Sequence, residues 1–123
     1  MIHLMMTHKK LLKLQKNDEV IIPAHTYCAS AIPFARNNAK IIWSDIDLKT
    51  RTVDIDDIIK KINKKTKAIV IVHLYGYAVD FSKIVKICKK RNIKIIEDCA
   101  QSLGAEVNGK KVGSIGDFSC FSF

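Results

Sequence analysis

The chain has 123 residues, 48% of them apolar, and its 21 Lys and Arg against 12 Asp and Glu give a net charge of +9. That length suits one domain on the prior of roughly 100–200 residues each, and a domain this small buries about two-thirds of its unfolded surface, so a fold that needs many strands would be incomplete. The basic residues (Lys60, Lys61, Lys64, Lys65, Lys86, Lys89, Lys90 and Arg91) lie in or after helical stretches with almost no aromatics among them. They mark solvated faces and not the interleaved stripe of a nucleic-acid binder, while leaving some attraction for anionic substrates.

In chain order, Leu4, Met5, His8, Leu11, Leu12 and Leu14 predict a short amphipathic helix, broken at 16–18. This N-terminus is apolar first and basic after, the reverse of a secretory signal. No run approaches the roughly 18 apolar residues of a transmembrane helix, so no membrane partner is expected. EVIIPA (19–24) reads as a strand and TYCASAIPFARNN (26–38) as a helix with Pro33 in its first turns or at a kink. AKIIWSDID (39–47) is a second strand. Asp54 can cap a helix carrying Ile55, Ile58, Ile59 and Ile62 at helical spacing. KAIVIVHLYG (67–76) is a continuously apolar strand, as in a parallel sheet covered on both faces. A helix over 80–92 comes next, with Asp80 as a cap and Phe81, Ile84, Val85 and Cys88 inward. IKIIEDC is the next strand, NGKK (108–111) a turn, and DFSCFSF (117–123) a last strand.

Strands alternating with helices give an α/β layered, mostly parallel sheet with right-handed crossovers, in one domain. The cysteines at 28, 88, 99 and 120 have no CxxC spacing and no histidine at zinc-ligand spacing. They read as buried reduced thiols, which fits the cytoplasm.

Open α/β sheets bind ligands beyond the carboxyl ends of their strands. The residues placed there are His25, Thr26 and Tyr27, then His73 and Tyr75, then Glu97, Asp98 and Gln101, and last Ser119 and Ser122. Each also has a structural reading. Asp98 can cap a turn of helix over CAQSL, with Gln101 on the surface, and His73 can be a hydrogen-bonded core histidine. GSIG (113–116) is too short a match for a phosphate loop, and there is no P-loop, no G-x-G-x-x-G and no nucleophile elbow. From residues alone the chain is an α/β small-molecule domain.

The ordered set NDEVIIPAHTYCASA, VHLYGYAVDFSKI and IIEDCAQSLGAEVNGKKVGSIGDFSCFSF resembles the DegT/DnrJ-type sugar aminotransferases from about residue 17 onward. These are pyridoxal 5'-phosphate enzymes of the fold type I, aspartate-aminotransferase-like class. The resemblance implies amino transfer, usually from glutamate, onto a keto-sugar nucleotide for amino-sugar and surface-polysaccharide biosynthesis, by a homodimer. It implies that Asp98 pairs with the ring nitrogen of the cofactor, since a nearby anion favours the protonated ring. Gln101 would lie near the ring hydroxyl oxygen, Tyr27 would stack on the ring and Ser122 would touch the phosphate. Glu97 receives no role, and His73 and Tyr75 give structural support.

The resemblance also implies what the 123 residues leave out. The Schiff-base lysine is expected beyond Phe123, the phosphate-holding Gly/Ser-Thr segment before Asn17, and the C-terminal small domain is missing. The expectation is therefore a partial large domain, inactive alone and poorly stable because its sheet edges are exposed. Two alternatives stand beside it: a pyridoxal-phosphate sugar dehydratase, in which histidine replaces the lysine, and a non-catalytic remnant or interaction fragment.

Overall fold

The computed structural model describes residues 12–122. Leu4, Met5, His8 and Leu11 of the expected first helix lie outside that range. Among the described residues there are seven strands: β1 (Glu19–Pro23), β2 (Lys40–Ser44), β3 (Thr66–Val72), β4 (Lys94–Asp98), β5 (Glu106–Val107), β6 (Lys110–Lys111) and β7 (Phe118–Cys120). The α-helices are α1 (Ile32–Ala35), α2 (Ile55–Lys61) and α3 (Ser82–Arg91).

Five strands form one sheet in the order β2-β1-β3-β4-β7, and every pairing in it is parallel. The α/β expectation holds. The apolar runs explain the layering, because alternate side chains of a strand point to opposite faces. Ile21, Ile69, Ile71 and Ile95 face α2 and α3, packing with Ile58, Phe81, Ile84 and Cys88. Val20, Ile22, Val70, Val72 and Ile96 face the other way, against Phe34 of α1. Phe34 and Phe81 are fully buried; truncating either to Ala removes about 3–5 kcal/mol.

Local signals account for the helix ends. The Asp54 carboxylate accepts from the N–H groups of Asp56 and Asp57, capping α2 as expected. Asp80 accepts from the Ser82 N–H at 3.0 Å. Asn92 takes the left-handed conformation that ends α3. Asn108 and Gly109, at φ 51° and 72°, make the two-residue left-handed turn between antiparallel β5 and β6.

Three expectations need correction. The helix over 26–38 is a 3-10 turn, Cys28–Ser30, and then the single-turn α1, with Pro33 in that first turn. Proline disfavours helix in the residue before it, and Asn38, in the left-handed conformation, turns the chain out of any longer helix. The last strand spans only Phe118–Cys120. Cys28 is exposed, while Cys88, Cys99 and Cys120 are buried, and no disulfide joins any of the four. The described residues contain no helix long and apolar enough to cross a membrane.

Candidate functional site

β1 is the strand where the chain order reverses: β2 lies on one side of it and β3 on the other. Such a switch point opens a crevice at the carboxyl ends of a parallel sheet. Val72 of β3, Asp98 of β4 and Cys120 of β7 are in register there, so three strands stop at one level. The loops leaving that edge carry Tyr27, Tyr75 and Tyr77, which are 66%, 64% and 62% exposed. His25 packs near Tyr75, with ring centroids 6.0 Å apart, and its Nδ1 meets the Arg51 carbonyl at 3.1 Å.

Asp98 ends β4 and is buried. Its Oδ2 accepts from the Ser30 hydroxyl at 2.8 Å and its Oδ1 from the Ala100 N–H at 3.2 Å. Because the Ser30 proton goes to Asp98, Thr26 donates in turn to Ser30, at 2.9 Å. Two hydroxyls therefore lead from the β1 loop to a buried acid two strands away. The CAQSL segment after Asp98 is a turn and not a helix. It is tied to the end of β3 twice. The Ser102 hydroxyl donates to the His73 carbonyl at 2.6 Å, and Gln101 Oε1 accepts from the Tyr75 N–H at 3.0 Å. With its oxygen taken up, the Gln101 amide presents N–H donors.

Tyr27 is exposed on the β1 loop, and Ser122 is exposed just past β7. Among the described residues no hydrogen bond joins either side chain to Asp98 or Gln101. The structure thus joins Asp98 to Thr26 and Ser30, places Gln101 in the adjoining turn, and leaves Tyr27 past the end of β1 and Ser122 past the end of β7, strands that β3 and β4 separate. Sequence reading missed Ser30. Its only signals were the i, i+4 spacing from Thr26 and its place after a strand end.

Glu97 points to the opposite face of β4 and is fully buried. Oε2 contacts His73 Nε2 at 3.0 Å and accepts from the Gly113 N–H at 2.8 Å. Oε1 accepts from the N–H groups of Ile115 and Gly116 at 2.8 and 2.6 Å. His73 Nδ1 accepts from the Val79 N–H at 3.0 Å, so the ring proton sits on Nε2 and is donated to Glu97. Burial pushes the Glu97 carboxyl up, but the bonds from His73, Gly116, Gly113 and Ile115 outweigh it and hold the group below its ordinary value. GSIG is therefore an anion-binding loop, and the anion is internal.

His73, Glu97 and Cys99 bring ligand atoms within 4.8 Å of one another, yet their chemistry is not that of a metal centre. Both histidine nitrogens are hydrogen-bonded, and burial, then the charges of Glu97 and Asp98, push the Cys99 thiol up to about 12. A surface cleft of about 500 Å3, away from Asp98, includes Asp47, Asp54, Asp56 and Asp80. Asp47, Asp54 and Asp80 are occupied in turns and caps, and Asp56 pairs with Lys83.

A buried acid at the sheet mouth, beside an oriented amide and an exposed aromatic, coincides with a sequence match. Residues 1–123 match the model of the DegT/DnrJ/EryC1/StrS aminotransferase family. The chain belongs to this family. A DegT/DnrJ relative from Aneurinibacillus thermoaerophilus, a dTDP-3-amino-3,6-dideoxy-alpha-D-galactopyranose transaminase, is 49% identical over 106 residues, 86% of this chain and 29% of its own. The crystal structure of an aminotransferase from Psychrobacter cryohalolentis superposes with a TM-score of 0.93 at 35% identity, covering 99% of this chain and 31% of that one. The Escherichia coli GDP-4-keto-6-deoxy-D-mannose-3-dehydratase with bound hydrated PLP superposes at 0.81 with 34% identity, covering 94% and 29%. The chain thus spans about a third of the length of these DegT/DnrJ relatives.

Proposed function

We propose that these residues form part of the cofactor cradle of a pyridoxal-phosphate enzyme that transfers an amino group from an amino acid, glutamate in the first instance, to a keto-sugar nucleotide. The observation that carries this reading is Asp98, a buried carboxylate at the mouth of the sheet, held by Ser30 and by its own turn. The chemistry of the donor set fits the cofactor. Asp98 would face the ring nitrogen and Gln101 would offer its amide N–H to the ring oxygen. Tyr27 would lie against the ring face, and Ser122 would donate to the phosphate. When bound, pyridoxal phosphate supplies a protonated ring that draws electrons away from the reacting carbon. Asp98 would keep the proton on the ring nitrogen by its charge, and the Ser30 hydroxyl and the Ala100 N–H hold its carboxylate in one orientation. The net positive charge suits an anionic nucleotide substrate.

In this reading the enzyme is a homodimer that works in the cytoplasm, to which cysteines without disulfides are suited, and supplies amino sugars for surface polysaccharide. A second reading, a pyridoxal-phosphate sugar dehydratase, is favoured by the match to the E. coli dehydratase. The product formed from a keto-sugar nucleotide separates the two. The test is a chimera in which this chain replaces the matching 106-residue segment of the Aneurinibacillus transaminase. The chimera should bind the cofactor and transfer the amino group, and Asp98→Asn should lower its kcat by about a hundredfold. A chimera without cofactor absorbance, or an Asp98→Asn variant at full rate, ends the reading.

A further inference from the structure

We propose that Glu97 is a positioning residue that holds the 113–116 loop, and through it the end of β7 with Ser122, at a fixed offset from Asp98. This rests on the cofactor reading, in which Asp98 and Ser122 serve opposite ends of one ligand. Three backbone N–H groups, from Gly113, Ile115 and Gly116, converge on one carboxylate. A fourth donor, His73, ties that carboxylate to the end of β3. Buried N–H groups that lose their acceptor are costly, so the loop has one favourable position while Glu97 is in place.

The loop is coupled to β7 by contact. A Cβ on Gly113 would stand 2.5 Å from Cζ of Phe121 and 3.3 Å from the Cys99 sulfur. The Gly113 backbone is thus pressed against the ring next to Ser122, and its φ of 85° suits glycine. At Gly116 a Cβ would meet the Ile95 carbonyl at 2.9 Å and the Glu97 side chain at 3.2 Å. Gly113 is required by its approach to Phe121 and Cys99, and Gly116 by its approach to Ile95 and Glu97. Glu97 is also covalently next to Asp98. One dipeptide therefore sets the ring acid on one face and, through the loop on the other, the strand end assigned to the phosphate.

The test compares pyridoxal phosphate with pyridoxal, which lacks the phosphate, as probes of the same chimera. Glu97→Gln should raise the dissociation constant for pyridoxal phosphate about tenfold and that for pyridoxal less than about twofold. Gly113→Ala, which leaves Glu97 intact but collides with Phe121, should show the same phosphate-selective loss. Glu97→Ala, refolded with acetate to replace the missing carboxylate, should regain most of its affinity, whereas chloride at equal ionic strength should not restore it. Equal losses for both probes, or no acetate rescue, would overturn the role of Glu97 while leaving the cofactor reading intact. A parent chimera that binds neither probe would overturn the cofactor reading and this inference with it.

Discussion

Glu97 and Asp98 are sequence neighbours with separate surroundings, because a strand turns successive side chains to opposite faces. Glu97 is held below its ordinary value of 4.5 by bonds that outweigh its burial. Its stabilising contribution is therefore complete above 4.5 and is lost as the pH falls through the lowered folded value. Urea midpoints tracked from about pH 6 to about pH 3 should drop in the native protein and drop less steeply in Glu97→Gln, which has no proton to gain there. Ser30→Ala leaves one oxygen of a buried carboxylate without its hydroxyl donor. It should lower stability by about 1.5–3 kcal/mol in the same titration. The position of Asp98 at the sheet mouth was legible because an acid at the end of an apolar strand stands out, whereas the residues alone favoured a helix cap over CAQSL, which is a turn. Ser30 was not legible, since a serine among alanines carries no mark of a partner 68 residues away. The partners of Glu97 were hidden for the same reason, as its three backbone donors sit 16 to 19 residues downstream and His73 lies 24 residues upstream.

Caps and turns decide where the elements stop. Asp54→Ala removes the acceptor for two N–H groups at the start of α2 and should cost about 1 kcal/mol, read as a lower melting temperature with unchanged β content. Gly116→Ala should cost about 1–3 kcal/mol by overpacking against the Ile95 carbonyl. The strands were readable because isoleucine and valine runs buried on both faces leave few other interpretations. The 26–38 segment was not. Its alanines favour helix, but Pro33 and the need to bring Ser30 onto Asp98 limit it to a 3-10 turn and a single helical turn. The short reach of β7 was equally hidden, because FSCFSF is apolar and aromatic enough to read as one strand, although its alternation breaks between Cys120 and Phe121, where β7 stops.

At the scale of the molecule, β2 and β7 are the sheet's edge strands, and β2 leaves Trp43 50% exposed. An apolar edge strand invites pairing with another chain. The 123-residue chain on its own should show concentration-dependent association by light scattering, and Trp43→Lys should reduce that association without lowering the melting temperature. The bond from Ser30 to Asp98 has a consequence in time. Its two ends are made 68 residues apart, which at ribosomal speed is an interval of roughly 3 to 14 seconds. Until β4 emerges, Thr26 and Ser30 are two hydrated hydroxyls with nothing to orient. The acid at the sheet mouth gains its partner only after β1, β3 and β4 lie side by side, so the Ser30–Asp98 bond forms with the sheet and not ahead of it.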